Sequence, residues 1–249
     1  MSGGVSLTID DGVAVITIDR PEVRNAIGFA TVDGLHTVLA EIEASDAAVA
    51  VIRGAGDRAF VSGGDLKEFG ALRSHADGAE MANRVRDALD RLAGLPIPVI
   101  AALNGHALGG GAERAVAADI RIAADDIRIG FNQVSLAVMP GWGGIERLTA
   151  IVGRSRALLA ITTGEQYDAA EAQRIGLVDL VVPRTDFEDR WRGLATKMAA
   201  TARGTTRAVK AVVAAVAPTI HHDSRTEAID RFATLWAAPA HWEAVEAKG

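Results

Sequence analysis

The sequence predicts an α/β fold that ends in a C-terminal helical region. Strand and helix patterns alternate over residues 1 to about 183, and helical patterns alone fill the alanine-rich remainder after Pro183. Of the 249 residues, 49% are hydrophobic, which is enough to bury a sizeable core. We therefore expect an α/β core over residues 1–190 and a C-terminal helical region, serving oligomerisation, over residues 191–249.

The chain opens with a predicted β-hairpin. The segments VSLTID and VAVITID are rich in β-branched residues and flank the turn Asp10-Asp11-Gly12. Pro21 ends the second strand, because proline cannot donate to a sheet. Apolar residues at helical spacing then predict a helix over Phe29–Ala44.

Later elements follow the same alternation. Strands are predicted in AVAVIRG, at the start of RAFVSGGDLKEFG, in PVIAALNG, twice in DIRIAADDIRIGF and in LVDLVVP. A helix is expected over Ala79–Leu95, and helical signals dominate from Gly143 onward. Asp168 is typical of a helix N-cap, and Gly176 is typical of the residue that stops the same helix.

The segment LNGHALGGGAERAVAAD, residues 103–119, places three glycines directly before a carboxylate. A dinucleotide fingerprint is excluded, because Arg114 occupies the position of its third glycine, and a P-loop is excluded because no Gly-Lys-Ser/Thr triplet occurs. Two interpretations remain for this segment taken alone. The glycines either let a helix pack closely on a sheet, or they expose backbone N–H groups for chemistry near Glu113.

A second segment, AFVSGGDLKEF, also places glycines, Gly63 and Gly64, after a strand and before a predicted helix. Two such turns can present two free N–H groups to a single point, which is what an oxyanion hole requires. Glu113, one helical turn into its own segment, would then face the same point as a base.

Five segments in order resemble the crotonase superfamily, the enoyl-CoA hydratase/isomerase family. They are ITIDRPEVRNAI, RAFVSGGDLKEF, LNGHALGGGAERAVAAD, VMPGWGGIERL and TGEQYDAAEAQRIGLVDLVVP. The resemblance covers about two thirds of the chain and implies a spiral of β-β-α units with a C-terminal helical region. It also implies trimers or hexamers made of two trimers, and an acyl-CoA thioester substrate whose enolate the enzyme stabilises.

Carried over residue by residue, the resemblance makes the N–H groups of Gly64 and Gly110 the two oxyanion donors and Glu113 the acid/base. It places CoA near Arg24 and Ala26, with Arg20 as a weaker phosphate contact than Arg24. Asp65 and Leu66 line the same groove in relatives.

The sequence departs from the family pattern at Gln133, where hydratases carry a second glutamate. An amide can orient water or a thioester, but it is neither a proton donor of useful acidity nor a competent base. The expected activity is that of an enoyl-CoA hydratase or isomerase of fatty-acid or related acyl-CoA metabolism. Decarboxylation of a malonyl-type CoA, thioester hydrolysis and catalytically weak acyl-CoA binding remain alternatives.

Two further positions are unusual. Trp142 stands where many relatives have a small residue, so its ring either narrows the acyl pocket or serves as a packing aromatic. Arg114 stands where an apolar residue is common, and pairing with Glu113, pairing with Asp119 or a place at an interface all remain open.

Composition limits the partners. The net charge of −6 argues against nucleic acid as a partner. The chain has no cysteine, its six histidines show no metal-ligand spacing, and we expect no metal and no cofactor beyond the CoA of the substrate. The chain starts without a basic, apolar signal pattern and holds no long apolar run, so no membrane association and a cytoplasmic location are expected.

Overall fold

The computed structural model describes residues 3–216 and 222–248. The strands are β1 (Val5–Asp10), β2 (Val13–Ile18), β3 (Val49–Gly54), β4 (Ala59–Val61), β5 (Val99–Leu103), β6 (His106–Leu108), β7 (Ile120–Ala124), β8 (Arg128–Gly130), β9 (Gln166–Asp168) and β10 (Leu180–Val182). The helices are α1 (Phe29–Ala44), α2 (Leu66–Phe69), α3 (His75–Ala93), α4 (Gly110–Ala115), α5 (Gly144–Val152), α6 (Arg154–Thr163), α7 (Ala169–Arg174), α8 (Phe187–Ala199), α9 (Arg203–Val216), α10 (His222–Ala237) and α11 (Pro239–Glu246).

The strands form two sheets. The larger has the order β1-β2-β3-β5-β7-β10 and is parallel except for the β1–β2 hairpin, and the smaller has the order β4-β6-β8-β9. Each consecutive pair, β3/β4, β5/β6 and β7/β8, divides its strands between the two sheets. This division is the repeat of the predicted β-β-α spiral, and it brings the ends of β4 and β6 side by side.

Local signals explain several of the elements. The hairpin pairs Asp10 with Val13, as the turn predicted, and α1 has the predicted bounds. The side chain of Asp168 accepts a hydrogen bond from the Glu171 N–H, which confirms it as the N-cap of α7. Helix α3 begins at His75 rather than at the predicted Ala79, because Ser74 caps it in a reciprocal capping box.

The C-terminal helices pack on the α/β part of the same chain. The predicted boundary near residue 190 lies within α8, whose Trp191 is fully buried against the sheet. Helix α10 lies along α3, where a Cβ on Gly78 would stand 2.7 Å from the Trp236 ring. Glycine at this position therefore permits the close approach that brings α10 over the α/β core. The division into two domains stays a prediction.

No helix in the described ranges is long and apolar enough to cross a membrane.

Candidate active site

The two glycine turns that follow β4 and β6 meet at one point. Because β4 and β6 are parallel neighbours, their carboxyl ends deliver Gly63-Gly64 and Gly109-Gly110 to the same edge of the smaller sheet. A Cβ on Gly63, whose φ is 113°, would lie 3.5 Å from the Gly110 nitrogen. The predicted convergence of these two distant segments is therefore present.

Both predicted donor groups are available for a ligand. The Gly63 carbonyl accepts a hydrogen bond from the Ile27 N–H, and the Asp65 N–H donates to the Ile27 carbonyl, each at 2.8 Å. The N–H of Gly64, the residue between them, is therefore directed away from Ile27. Gly110 is the first residue of α4, so its N–H has no acceptor within the helix. In the part of the chain that the structure describes, neither N–H group has a hydrogen-bond acceptor.

Glu113 lies on α4, buried beside this pair, and its carboxyl oxygens have separate environments. Oε2 accepts hydrogen bonds from the N–H groups of Trp142 (2.7 Å) and Gly144 (2.9 Å). Oε1 accepts one from Nε2 of Gln133 (3.0 Å). Since Oε2 accepts from two fixed backbone donors, Oε1 is the oxygen more open to protonation.

Burial raises the pKa of Glu113 from 4.5 to about 7, although the N–H groups of Gly144 and Trp142, the Arg147 guanidinium and Gln133 each pull the pKa down. Desolvation disfavours the charged form of a carboxyl more than these groups favour it. Near neutral pH, both protonation states of Glu113 are therefore populated, which suits a group that must both take and return a proton.

Gln133 contributes an amide whose Oε1 is buried and has no partner among the described residues. With Glu113 ionised, the amide donates through Nε2, as observed. With Glu113 protonated at Oε1, a half-turn of the amide would let its oxygen accept that proton in a hydrogen bond. Gln133 can therefore hold Glu113 in either protonation state without titrating itself.

The turns and Glu113 open into a cavity of about 510 Å³. One part of its wall is apolar and largely aromatic, formed by Phe69, Met81, Leu136, Val138, Met139, Trp142, Phe232, Trp236 and His241. The imidazole Nδ1 of His241 donates to the Leu136 carbonyl (2.6 Å), and burial lowers the pKa of His241, so the ring is neutral. The cavity can therefore accommodate an apolar group beside the two N–H donors and one acid.

Trp142 lies between the two donor glycines. A Cβ on Gly110 would overlap its six-membered ring, and a Cβ on Gly64 would lie 3.5 Å from the same ring. The ring is 6% exposed and lines the cavity. Trp142 thus bounds the cavity beside the two predicted oxyanion donors, and its backbone N–H donates to Glu113.

A family model for enoyl-CoA hydratase/isomerase matches residues 8–242. The chain belongs to the enoyl-CoA hydratase/isomerase family. The short-chain-enoyl-CoA hydratase of Clostridium acetobutylicum is 39% identical over 199 residues, covering 80% of this chain and 76% of its own. The probable enoyl-CoA hydratase of Bacillus subtilis is 38% identical over 198 residues, covering 78% of this chain and 76% of its own.

Solved structures of enoyl-CoA hydratases are similar to this chain in fold. The enoyl-CoA hydratase of Bacillus anthracis matches with a TM-score of 0.83 and 30% identity, over 98% of this chain and 95% of that one. The enoyl-CoA hydratase of Mycobacterium avium subsp. paratuberculosis matches with a TM-score of 0.89 and 26% identity, over 98% of each chain. The predicted crotonase fold and family are confirmed.

Two other predicted substrate contacts of this family member also line the cavity. Arg24 is exposed there in a left-handed conformation (φ 54°), and its side chain has no ion-pair or hydrogen-bond partner among the described residues. Leu66 lines the cavity as well. Arg58, which the motifs did not single out, adds a second exposed cation to the lining of the cavity.

Ala26 and Asp65 do not line the cavity. Asp65 caps α2 by accepting from the Lys67 N–H and pairs with Arg20 at 2.9 Å, while Arg20 also donates to the Ala26 carbonyl at 2.7 Å. These bonds secure the loop that carries Arg24, and they occupy Arg20, the weaker of the two candidate phosphate contacts. Substrate binding by Ala26 and Asp65 stays a prediction.

Sequence patterns missed the role of the C-terminal aromatics. Phe232 and Trp236 pack within the chain and form cavity wall together with His241. No local signal could reveal this position, because α10 reaches the site only by folding back over α3, and α11 then packs against α10 and residues 132–136.

Arg114 pairs neither with Glu113 nor with Asp119. Its side chain is 1% exposed, its guanidinium has no partner among the described residues, and burial lowers its pKa to about 9.

Within residues 3–216 and 222–248, no cluster of three or more His, Asp or Glu side chains could hold a metal ion. His221, part of the histidine set judged from the sequence, lies outside those ranges.

Proposed function

We propose that this protein hydrates a short-chain enoyl-CoA, with Gly64 and Gly110 as oxyanion donors and Glu113 as the single acid/base. The observation that carries the proposal is the meeting of two unpaired N–H groups and one protonatable carboxyl in the same cavity. The names of the relatives given above, which are enoyl-CoA hydratases, also support the proposal.

In the first step, the thioester oxygen accepts both N–H groups, which draws electron density from the double bond. Ionised Glu113 takes a proton at Oε1 from a water molecule while the water oxygen bonds to Cβ. The negative charge then resides on the thioester enolate, where the two N–H groups stabilise it. One such donor is typically worth about 10²–10³ in rate.

In the second step, protonated Glu113 returns the proton from Oε1 to Cα and the enolate collapses to the thioester. The net change is addition of one water, and Glu113 ends ionised as it began. Gln133 supports this cycle by donating to Oε1 in one state and accepting from it in the other. No cofactor besides the CoA of the substrate is needed for these proton transfers.

Trp142 supports a short acyl chain. Its ring lies against both oxyanion glycines, so an acyl group leaving the thioester meets an aromatic wall within the same cavity. The CoA phosphates would lie toward Arg24 and Arg58, two exposed cations that line the same cavity. A phosphate needs only such local cations and not a basic protein.

A second candidate is decarboxylation of a malonyl-type CoA. Gln133 favours it, because loss of CO₂ generates the enolate without a second carboxylate, and protonated Glu113 then needs only to protonate Cα. The same oxyanion donors would serve, so the two reactions differ in how the enolate forms.

We also propose a homotrimer or a hexamer made of two trimers. Helix α9 exposes an apolar stripe at helical spacing, namely Val209, Val212, Val213 and Val216, each at least 58% exposed in the single chain. Such a stripe is typical of a helix that packs against a further protein surface. Light scattering after size exclusion measures the assembly, and a monomer at micromolar concentration would refute it.

Turnover of crotonyl-CoA and of malonyl-CoA by the wild type, Glu113→Gln and Gln133→Glu tests the reaction. We expect the wild type to hydrate crotonyl-CoA, Glu113→Gln to lose about 10²–10⁴ of that rate, and Gln133→Glu to raise it modestly. Hydration near zero in the wild type that rises strongly in Gln133→Glu, with malonyl-CoA decarboxylated by the wild type, would establish the second candidate instead. Binding without turnover in every variant would refute both.

A further inference from the structure

The turn formed by residues 142–144 is the part of the site that holds Glu113. Its first and last residues, Trp142 and Gly144, donate the two hydrogen bonds on Oε2. Gly143, between them, has a φ of 87°, in the left-handed region that favours glycine. The position of the carboxyl therefore depends on what holds this turn from its other side.

Arg147 holds it. Its Nη1 donates to the Trp142 carbonyl at 3.0 Å, and its Nη2 bonds the carboxylate of Asp90 on α3. The guanidinium lies so close over the turn that a Cβ on Gly143 would be 2.6 Å from Nη1. The Arg147 side chain is only 8% exposed, so its guanidinium is largely shielded from water, whereas the Asp90 side chain is 35% exposed.

Asp90 is in turn held by other cations. Its Oδ2 accepts from Nη1 of Arg225 on α10 at 2.9 Å and lies 3.6 Å from Nε of Arg86 on α3. Arg86 pairs at 2.8 Å with Glu146, the neighbour of Arg147 on α5. These groups and Glu113 are the charges that face Arg147 from α3, α4, α5 and α10.

We propose that Arg147, anchored by Asp90, is a positioning residue for the acid/base Glu113. It fixes the Trp142–Gly144 turn through the Trp142 carbonyl and places a positive charge near the carboxyl. This rests on the proposed function for the role of Glu113, but its effect on that carboxyl does not depend on which acyl-CoA reaction follows.

The signs of two substitutions distinguish this role from simple structural support. Arg147→Gln keeps a donor for the Trp142 carbonyl but removes the cation, so the pKa of Glu113 should rise by about one unit. Asp90→Asn removes an anion and leaves three arginines less compensated, so the pKa of Glu113 should fall. A merely structural role would loosen the site and admit water in both variants, which would lower the pKa in both because burial is what raises it.

The pKa of Glu113 is read without turnover. The free energy of unfolding is measured from pH 4 to pH 9 for each variant and for the same variant carrying Glu113→Gln, and the pH dependence of the difference belongs to Glu113. Arg121→Gln is the matched control, since Arg121 is similarly buried and also bonds backbone carbonyls and an aspartate, Asp179, but bonds neither Glu113 nor the turn at residues 142–144. It should leave the pKa of Glu113 unchanged.

Turnover completes the test. In Arg147→Gln we expect kcat to fall on the order of tenfold to a hundredfold with KM changed less than about threefold, because the oxyanion donors and CoA contacts remain in place. Shifts of the same sign in Arg147→Gln and Asp90→Asn, or no shift in either, would overturn the proposal. A wild type that turns over no acyl-CoA would refute the proposed function while leaving the pKa comparison decisive.

Arg147→Lys is the second variant to be measured if Arg147→Gln does not fold. Lysine keeps the charge, but its single ammonium cannot span both the Trp142 carbonyl and Asp90 as the planar guanidinium does. We expect a pKa of Glu113 near that of the wild type together with a reduced kcat. A wild-type kcat would show that the two-point contact is unnecessary and would overturn the proposal.

Discussion

Replacement of Glu113 by glutamine should stabilise the fold while it abolishes proton transfer. The substitution is nearly isosteric and keeps the hydrogen bonds: the new Oε1 can accept from the N–H groups of Trp142 and Gly144, and the new Nε2 can donate to the unpartnered Oε1 of Gln133. What changes is the buried, ionisable proton.

The magnitude follows from the pKa of Glu113, which burial raises from 4.5 to about 7. Below pH 4.5 the group is protonated in the folded and the unfolded chain and makes no difference. As the pH rises to about 7, only the unfolded chain ionises freely, so the wild type loses folding free energy, and above pH 7 the loss is constant. The shift of 2.5 units corresponds to about 3 kcal/mol.

The assay is urea unfolding followed by circular dichroism from pH 4 to pH 9, at one fixed protein concentration, for the wild type and Glu113→Gln. All other titrating groups are shared, so their contributions cancel in the difference. We expect the variant to gain about 3 kcal/mol relative to the wild type between pH 4 and pH 8. A difference that stays flat across this range, or that favours the wild type as pH rises, would refute a buried carboxyl with a raised pKa.

Three other substitutions test separate parts of the site. Trp142→Ala should widen the cavity and raise kcat/KM for octenoyl-CoA relative to crotonyl-CoA by at least tenfold. Trp142→Phe is the milder control, and an unchanged ratio of the two kcat/KM values would show that Trp142 does not select the chain length. Arg24→Gln should raise KM for crotonyl-CoA severalfold but not for the pantetheine thioester, which lacks the nucleotide phosphates, and an equal effect on both substrates would contradict a phosphate contact. Arg114→Met should raise the free energy of unfolding by ~1–4 kcal/mol, because it removes a buried charge that has no partner among the described residues; a loss of stability in chemical denaturation would show that Arg114 is compensated.

The sequence by itself determined the elements with strong local signals and singled out the residues proposed to carry the chemistry. The hairpin, α1 and the Asp168 cap have turn, periodicity or capping patterns that depend on near neighbours only. The family motifs alone mark Gly64, Gly110 and Glu113. The short strands β6 and β9 gave no such pattern, because three residues show no period and each is defined by its partner strand.

Only the tertiary structure decided how those residues are arranged. The raised pKa of Glu113 results from burial beneath the turn at Trp142 and Gly144, and burial is a property of the packed chain. Arg147 acquires its position through Asp90 on α3, 57 residues away in sequence. The aromatic wall from α10 and α11 exists because α10 folds back over α3 and α11 packs against α10, and no local spacing encodes the long-range contact of α10 with α3.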